Sequence, residues 1–352
     1  MSTAGSGRPA SRSFEDTSVG EVIGPAGYGP MTVMHLMRWG AAMENWHRIH
    51  YDDAFCREHE GLPGPLVNGS WKQQVLAQLL KDWAGPAGWL RALEFQFRGM
   101  DVAGETLRAQ GRVTAREIQG DYGEVRCAIE MRNTSDEATT VGEAAVLLPL
   151  RHGPEVRYPR VPPETRDAAS AAQARQGLCP PEYEAYIGVT SKTLVSADAI
   201  DASSLRRFMQ AIMVRDADYF DKASRGARRF GTIVAPPLYP LHALHVPPAA
   251  DDPLDQARHD KEFDGASQTP WLAFGLPGLP GAPQRILNAG NRVELYAYAP
   301  LGAHIEVTST YDDIYQKAGK RGPLLFVSVL GRYAVHETGQ PLLRSWQTYI
   351  LR

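Results

Sequence analysis

The 352-residue sequence predicts an α+β protein built from two similar halves. Three observations lead to that class. Each half sets helical patterns ahead of a run of alternating apolar and polar residues. The second half repeats the order of the first. Between them, Val156 to Pro181 breaks the pattern with Pro159, Pro162, Pro163, Pro180 and Pro181, which reads as a linker.

Residues 1–13 are small and polar, without the apolar stretch of a signal peptide, and read as a flexible tail. The first half, 14–150, opens on the extended segment EVIGPAGYGP. The stretch MTVMHLMRWGAAME follows as a helix with Val33, Leu36, Met37 and Gly40 on one face. A polar turn, NWHRIHYDDAF, and a Gly/Pro segment, GLPGPLVNGS, then lead into a second helix. That helix carries Trp71, Val75, Leu76, Leu79 and Leu80, and a sheet wrapped around it would bury them. Strands come last, with alternation at Val125, Cys127, Ile129 and Met131.

After the linker at 151–181, the second half, 182–352, runs in parallel. YIGVTSKTLV is its extended segment, and SADAIDASSLRRFMQAI its helix, with Ser196 as candidate N-cap. VRDADYFDKAS matches the polar turn and FGTIVAPPLY the Gly/Pro segment. Gly302 in the turn Leu301-Gly302-Ala303 takes the place of Gly104 in Ala103-Gly104-Glu105. Val246 to Pro283 is rich in Pro, Gly and Asp. It is too long for an ordinary connection and is expected to pack over another part of the molecule.

Composition narrows the function classes. At 43% hydrophobic and 22% charged residues the chain is globular, and a net charge of −3 calls for neither nucleic acid nor a membrane surface. Two basic groups, Arg225, Arg228, Arg229 and Lys317, Lys320, Arg321, read as local solvated patches. No run of about 18 apolar residues is present, so no membrane span is expected. Cys56, Cys127 and Cys179 are widely spaced, which argues against a disulfide framework and for a reducing cytoplasm.

NWHRIHYD, followed by EGLPG at 60–64 and AGETL at 103–107, resembles the MaoC-like hydratase and dehydratase family over roughly 14–150. HRIHYD with EGLPG looks most like mitochondrial-type 3-hydroxyacyl-thioester dehydratases and mesaconyl-C4-CoA hydratases. In the second half YIG, IVAPP at 233–237 and DIYQKAGKRGPLLFV at 313–327 resemble a FAS1-like dehydratase domain. The usual fusion places that domain first, and here the order is reversed. The resemblance implies a double hot-dog, two repeats each with a sheet wrapped around a central helix. It implies a hydro-lyase of fatty acid metabolism acting on acyl chains carried by coenzyme A or acyl carrier protein, with a homodimer as the candidate assembly.

Hydrating an enoyl thioester needs a base for water, a proton donor for the α carbon and a donor to the thioester carbonyl. The general family motif is D-x-N-P-x-H. Aligning His50 with its histidine puts Asn45 where the family has Asp, and His47 where it has Asn. Asn cannot act as a base but can orient water or a carbonyl. His50 is therefore the first candidate for proton transfer, with His47 second and Asn45 in support. Tyr51 is a supporting residue, and Asp52 either orients a histidine or caps the next short helix. Metal ligation by H-x-x-H lacks a third and fourth ligand, because neither Cys56 nor His59 is well placed; no metal or other cofactor is expected.

The Gly-rich entry to the second helix suits an oxyanion site, with Gly64, Pro65, Asn68 and Gly69 as donors or shapers; turn geometry alone also accounts for the glycines. MVRDADYFDK holds no histidine, so the second half is expected to be non-catalytic, with Leu238 and Tyr239 lining an acyl groove or packing the core. Two alternatives stand beside the hydratase reading. One is another reaction on the same scaffold, by a lyase, isomerase or cyclase. The other is a non-catalytic acyl-binding subunit.

Overall fold

The alternating segments pair into one antiparallel sheet. The computed structural model describes residues 12–159, 161–162, 178–247, 250–266, 274–283, 285–319 and 322–352. In the first half, β1 (Val22–Tyr28), α1 (Val33–Met43) and α2 (Gly69–Ala84) precede β2 (Trp89–Phe97), β3 (Leu107–Gln119), β4 (Tyr122–Arg132) and β5 (Ala138–Pro149). In the second, β6 (Leu194–Val195), α3 (Ala202–Ala211) and α4 (Arg225–Phe230) precede β7 (Ile286–Leu295), β8 (Ile305–Gly319), β9 (Gly322–Val335) and β10 (Pro341–Leu351).

The ten strands lie in the order β1-β3-β4-β5-β2-β7-β10-β9-β8-β6, so the second half repeats the first in mirror order about a central seam. The seam is antiparallel, pairing Ala92 with Glu294, Leu93 with Val293 and Phe95 with Asn291. Strand pairing, not only side-chain packing, therefore joins the halves.

Helix α2 occupies the centre. Every residue from Trp71 to Leu80 is buried, polar ones included. Val75, Leu76 and Leu80 are fully buried, which is worth about 1.5–3 kcal/mol for each side chain. The buried polar groups each have a partner, as burial requires. Lys72 pairs with Asp101, Gln74 Nε2 donates to Leu238 O at 3.5 Å, and Gln78 Oε1 accepts from the Tyr219 hydroxyl at 2.7 Å. Trp71 Nε1 donates to Ala211 O at 3.0 Å. Three of these partners lie in the second half, so α2 is shared by both.

The second half departs from the expected repeat in one element. Where the first half forms α2, the second forms a short 3-10 turn, Tyr239–His242. Pro236, Pro237 and Pro240 withhold the N–H groups a continuing helix needs.

Two local expectations are corrected. On α1 the buried residues are Leu36, Trp39 and Gly40, while Val33 and Met37 are 38% and 40% exposed; the Trp39 ring turns inward onto Phe208. Asp201, not Ser196, caps α3, its carboxylate accepting from the Ser204 N–H at 2.6 Å. Ser196 is instead tied to β8, its hydroxyl accepting from the Ile305 N–H at 3.0 Å. Of the residues expected to form a tail, 1–11 lie outside the described residues, while Arg12 pairs with Glu21.

The linker reading at 151–181 includes 160 and 163–177, which lie outside the described residues, as do Lys320 and Arg321. The part before them is packed: Val156 is fully buried and the Tyr158 ring stacks on Phe230 at 5.7 Å. Arg229 of the basic group is spent on this junction, donating to Pro86 O at 2.6 Å and Gly88 O at 3.1 Å.

Candidate active site

The polar turn begins where α1 ends. Glu44 takes a left-handed conformation at φ 51°, and Asn45 N–H returns to Gly40 O at 2.9 Å. The Asn45 side chain accepts from the His47 N–H at 3.2 Å. Arg48–His50 then forms a 3-10 turn. The surrounding polar groups hold this turn in shape. Asp52 accepts from the Phe55 N–H at 3.0 Å and from Arg48 Nε at 3.0 Å, so it caps the next turn and orients no histidine. The Tyr51 hydroxyl donates to Trp46 O at 2.9 Å.

The ring of His50 has its orientation and tautomer set by its neighbours. Nδ1 lies 2.9 Å from Leu66 O, a group that only accepts, so Nδ1 carries the proton. Nε2 lies 3.1 Å from Asn68 Nδ2. The Asn68 amide is itself fixed, because Oδ1 accepts from Ser70 N at 2.8 Å and Ser70 Oγ at 2.6 Å. Nδ2 therefore donates to an Nε2 lone pair. Burial pushes His50 down to about 4; the Leu66 carbonyl opposes the shift and His47 adds to it. The imidazole is neutral at neutral pH, with its basic nitrogen at Nε2. His47 stands edge-on, with ring centroids 6.0 Å apart. Burial lowers His47 too, against Asp264 and Glu60.

Asn68 also caps α2, so His50 meets the start of the buried helix directly. The turn is locked to it, since Leu66 N–H donates to Ile49 O at 2.8 Å and Val67 N–H to Asp101 O at 2.8 Å. No acceptor among the described residues takes the Gly69 N–H at the first helical position. A Cβ at Gly69 would lie 2.6 Å from the Phe97 ring, so close packing also requires glycine there. The positive end of a 16-residue helix thus opens beside a neutral base. His50, Asn68 and Gly69 come together. Gly64 instead faces the Arg57–Asp53 pair, and the Pro65 carbonyl accepts from the Ala103 N–H at 2.8 Å. Among the described residues, no group of three metal-ligating side chains forms.

The second half keeps the same backbone plan. Asp216 stands before the turn Ala217–Tyr219 as His47 does before Arg48–His50, and Asp221 N–H returns to Ala217 O at 2.8 Å as Asp52 does to Arg48 O at 2.9 Å. Tyr219 is therefore the counterpart of His50. It is fully buried, and around it Lys81 of α2 meets Asp216 and Asp218. Leu238 is in the core, while Tyr239 lines a cavity of 350 Å³ with the polar groups of Asp201, Ser204, Arg207 and His245.

One residue of the turn's surroundings left no local sign in the sequence. Asp264, more than two hundred positions on, reaches this turn from the Val246–Pro283 excursion. Its carbonyl accepts from the Arg48 N–H at 2.7 Å and its carboxylate lies 3.8 Å from His47 Nε2. The expectation that the excursion packs over something was the only pointer.

The hydroxyacyl-thioester dehydratase type 2 family matches residues 26–105, which span this turn and the start of α2. The FAS1-like dehydratase domain region matches residues 185–342. Both halves of the chain thus match dehydratase families. The chain is a hydro-lyase, and its substrates are acyl thioesters. Solved structures agree on the fold of this dehydratase. A MaoC-domain dehydratase from Chloroflexus aurantiacus is 14% identical with a TM-score of 0.64, each chain covered to 99%. A Mycobacterium tuberculosis protein described as a double hot-dog is 15% identical with a TM-score of 0.59, covering 97% of this chain and 98% of its own. No curated protein matches the chain.

Proposed function

We propose that His50 is the proton-transfer group with which this dehydratase adds and removes water at the C2–C3 bond of an acyl thioester. The carrier is coenzyme A or an acyl carrier protein. The observation that carries the reading is a neutral imidazole whose basic Nε2 sits at the N-terminus of α2. In hydration, Nε2 takes a proton from water while the oxygen bonds to C3. Charge moves to the thioester oxygen, where the Gly69 N–H and the helix N-terminus stabilise it. Water competes with Asn68 for the Nε2 lone pair, and the displaced Asn68 Nδ2–H then donates to the water oxygen. Asn45 serves by holding His47 in place.

Hydration of crotonyl-CoA and of longer or branched enoyl-CoAs by the purified chain tests this. His50→Ala should lower kcat by about 10²–10⁴-fold. An unchanged rate in that variant would sink the assignment.

A further inference from the structure

We infer that the second half completes the proton-transfer site through Asp264, which positions His47 as the proton donor opposite His50. The inference rests on the His50 reading above. Its basis is a set of contacts from one short segment. Asp264 O accepts from the Arg48 N–H at 2.7 Å, and Arg48 itself donates to Lys261 O at 2.9 Å and Phe263 O at 3.4 Å. Gly265, at φ 85°, passes so close that a Cβ would lie 2.0 Å from Trp46 O. The segment is thus seated on both sides of His47.

The Asp264 carboxylate divides its oxygens. Oδ1 accepts from the Ala266 N–H at 2.7 Å, and Oδ2 faces His47 Nε2 at 3.8 Å. Charged and titratable groups face His47 from three sides: His50 on its own turn, Glu60 beyond the next turn, and Asp264 from the second half. Glu60 is shared with Arg285 and His59, which leaves Asp264 as the counter-charge directed at His47. Burial lowers His47, and the Asp264 carboxylate beside Nε2 offsets part of that by favouring the imidazolium.

Hydration needs such a group. As His50 takes a proton from water and the C3–O bond forms, the C2=C3 electron pair moves to the thioester oxygen. When the enolate collapses, C2 takes a proton from the His47 imidazolium, leaving it neutral. One water is added, no electrons are exchanged, and the proton gained by His50 replaces the one His47 gave.

Asp264→Asn keeps the carbonyl and an oxygen for Ala266 while removing the charge. In the full chain, with crotonyl-CoA, the alkaline limb of the kcat profile should move down by about one pH unit, a roughly tenfold loss on that limb. Asp264→Glu should restore it. A folded Asp264→Asn protein with an unmoved limb overturns the inference. If that variant does not fold, His47→Gln decides: the alkaline limb must disappear, and its persistence overturns the inference. His50→Ala separates the two readings. If it is inactive while Asp264→Asn behaves as wild type, only the role of Asp264 falls; if it is fully active, the His50 assignment falls.

Discussion

The turn at Arg48–His50 and the turn at Ala217–Tyr219 share a backbone plan and differ in what they hold. The first presents a neutral imidazole, steered by the Leu66 carbonyl and Asn68, to the start of α2. The second presents Tyr219 to the far part of the same helix, where its hydroxyl donates to Gln78 and Lys81 is ringed by Asp216 and Asp218. Helix α2 thus has a chemically open N-terminal end and an electrostatically closed C-terminal part. One scaffold supports both because backbone bonds set the turn, while the side chains decide whether a basic atom is left available or committed to structure.

Breaking the closed cluster should cost the most. Burial alone would raise Asp218, and the Lys81 ammonium reverses that and holds the carboxyl below its ordinary value. Lys81→Ala would leave the partly buried Asp216 and Asp218 without their cation, an expected loss of about 3 kcal/mol in urea unfolding. A loss below about 1 kcal/mol would show that the cluster does not hold α2. Tyr219→Phe is milder. It strips Gln78 Oε1 of its donor and should cost about 1–3 kcal/mol, with hydration by the His50 site unchanged. A matching fall in kcat would break the contrast between the halves.

The smallest change sharpens the open end. The Asn68 N–H bonds a lone pair that exists only on neutral His50, so it favours the neutral form. Asn68→Asp keeps a good helix cap and substitutes a carboxylate that favours imidazolium. The acid limb of kcat/KM, expected near pH 4 in the wild type, should rise by about one unit. Stability follows the same sign. His50 is depressed in the folded state from an ordinary value of about 6.5. Its contribution is therefore fully present above about pH 6.5 and lost as pH falls towards 4. Acid unfolding curves should show that loss narrowed in Asn68→Asp; an unchanged curve would mean that Asn68 does not tune His50.

Much of this was legible in the residues. The period of the apolar pattern identified the strands and the buried face of α2, because a helix and a strand impose different spacings on the side chains they bury. The repeat of element order foretold two similar halves, and the resemblance carried by HRIHYD, with the Gly-rich entry to α2, pointed to His50, Asn68 and Gly69. Local spacing misjudged α1, because which side faces inward depends on the Trp39–Phe208 contact across the halves. For Asp52 it left two roles open, and the bonds to the Phe55 N–H and Arg48 select the capping one.

The sequence by itself determined the class of fold, the two-half plan and the histidine to test first, since these follow from local patterns and short-range motifs. Only the tertiary structure decided that His50 is neutral with its lone pair at Nε2, that one buried helix serves both halves, and that Asp264 reaches His47. The reason is physical. Protonation state and proximity depend on burial and on partners distant in the chain, and no local pattern encodes either.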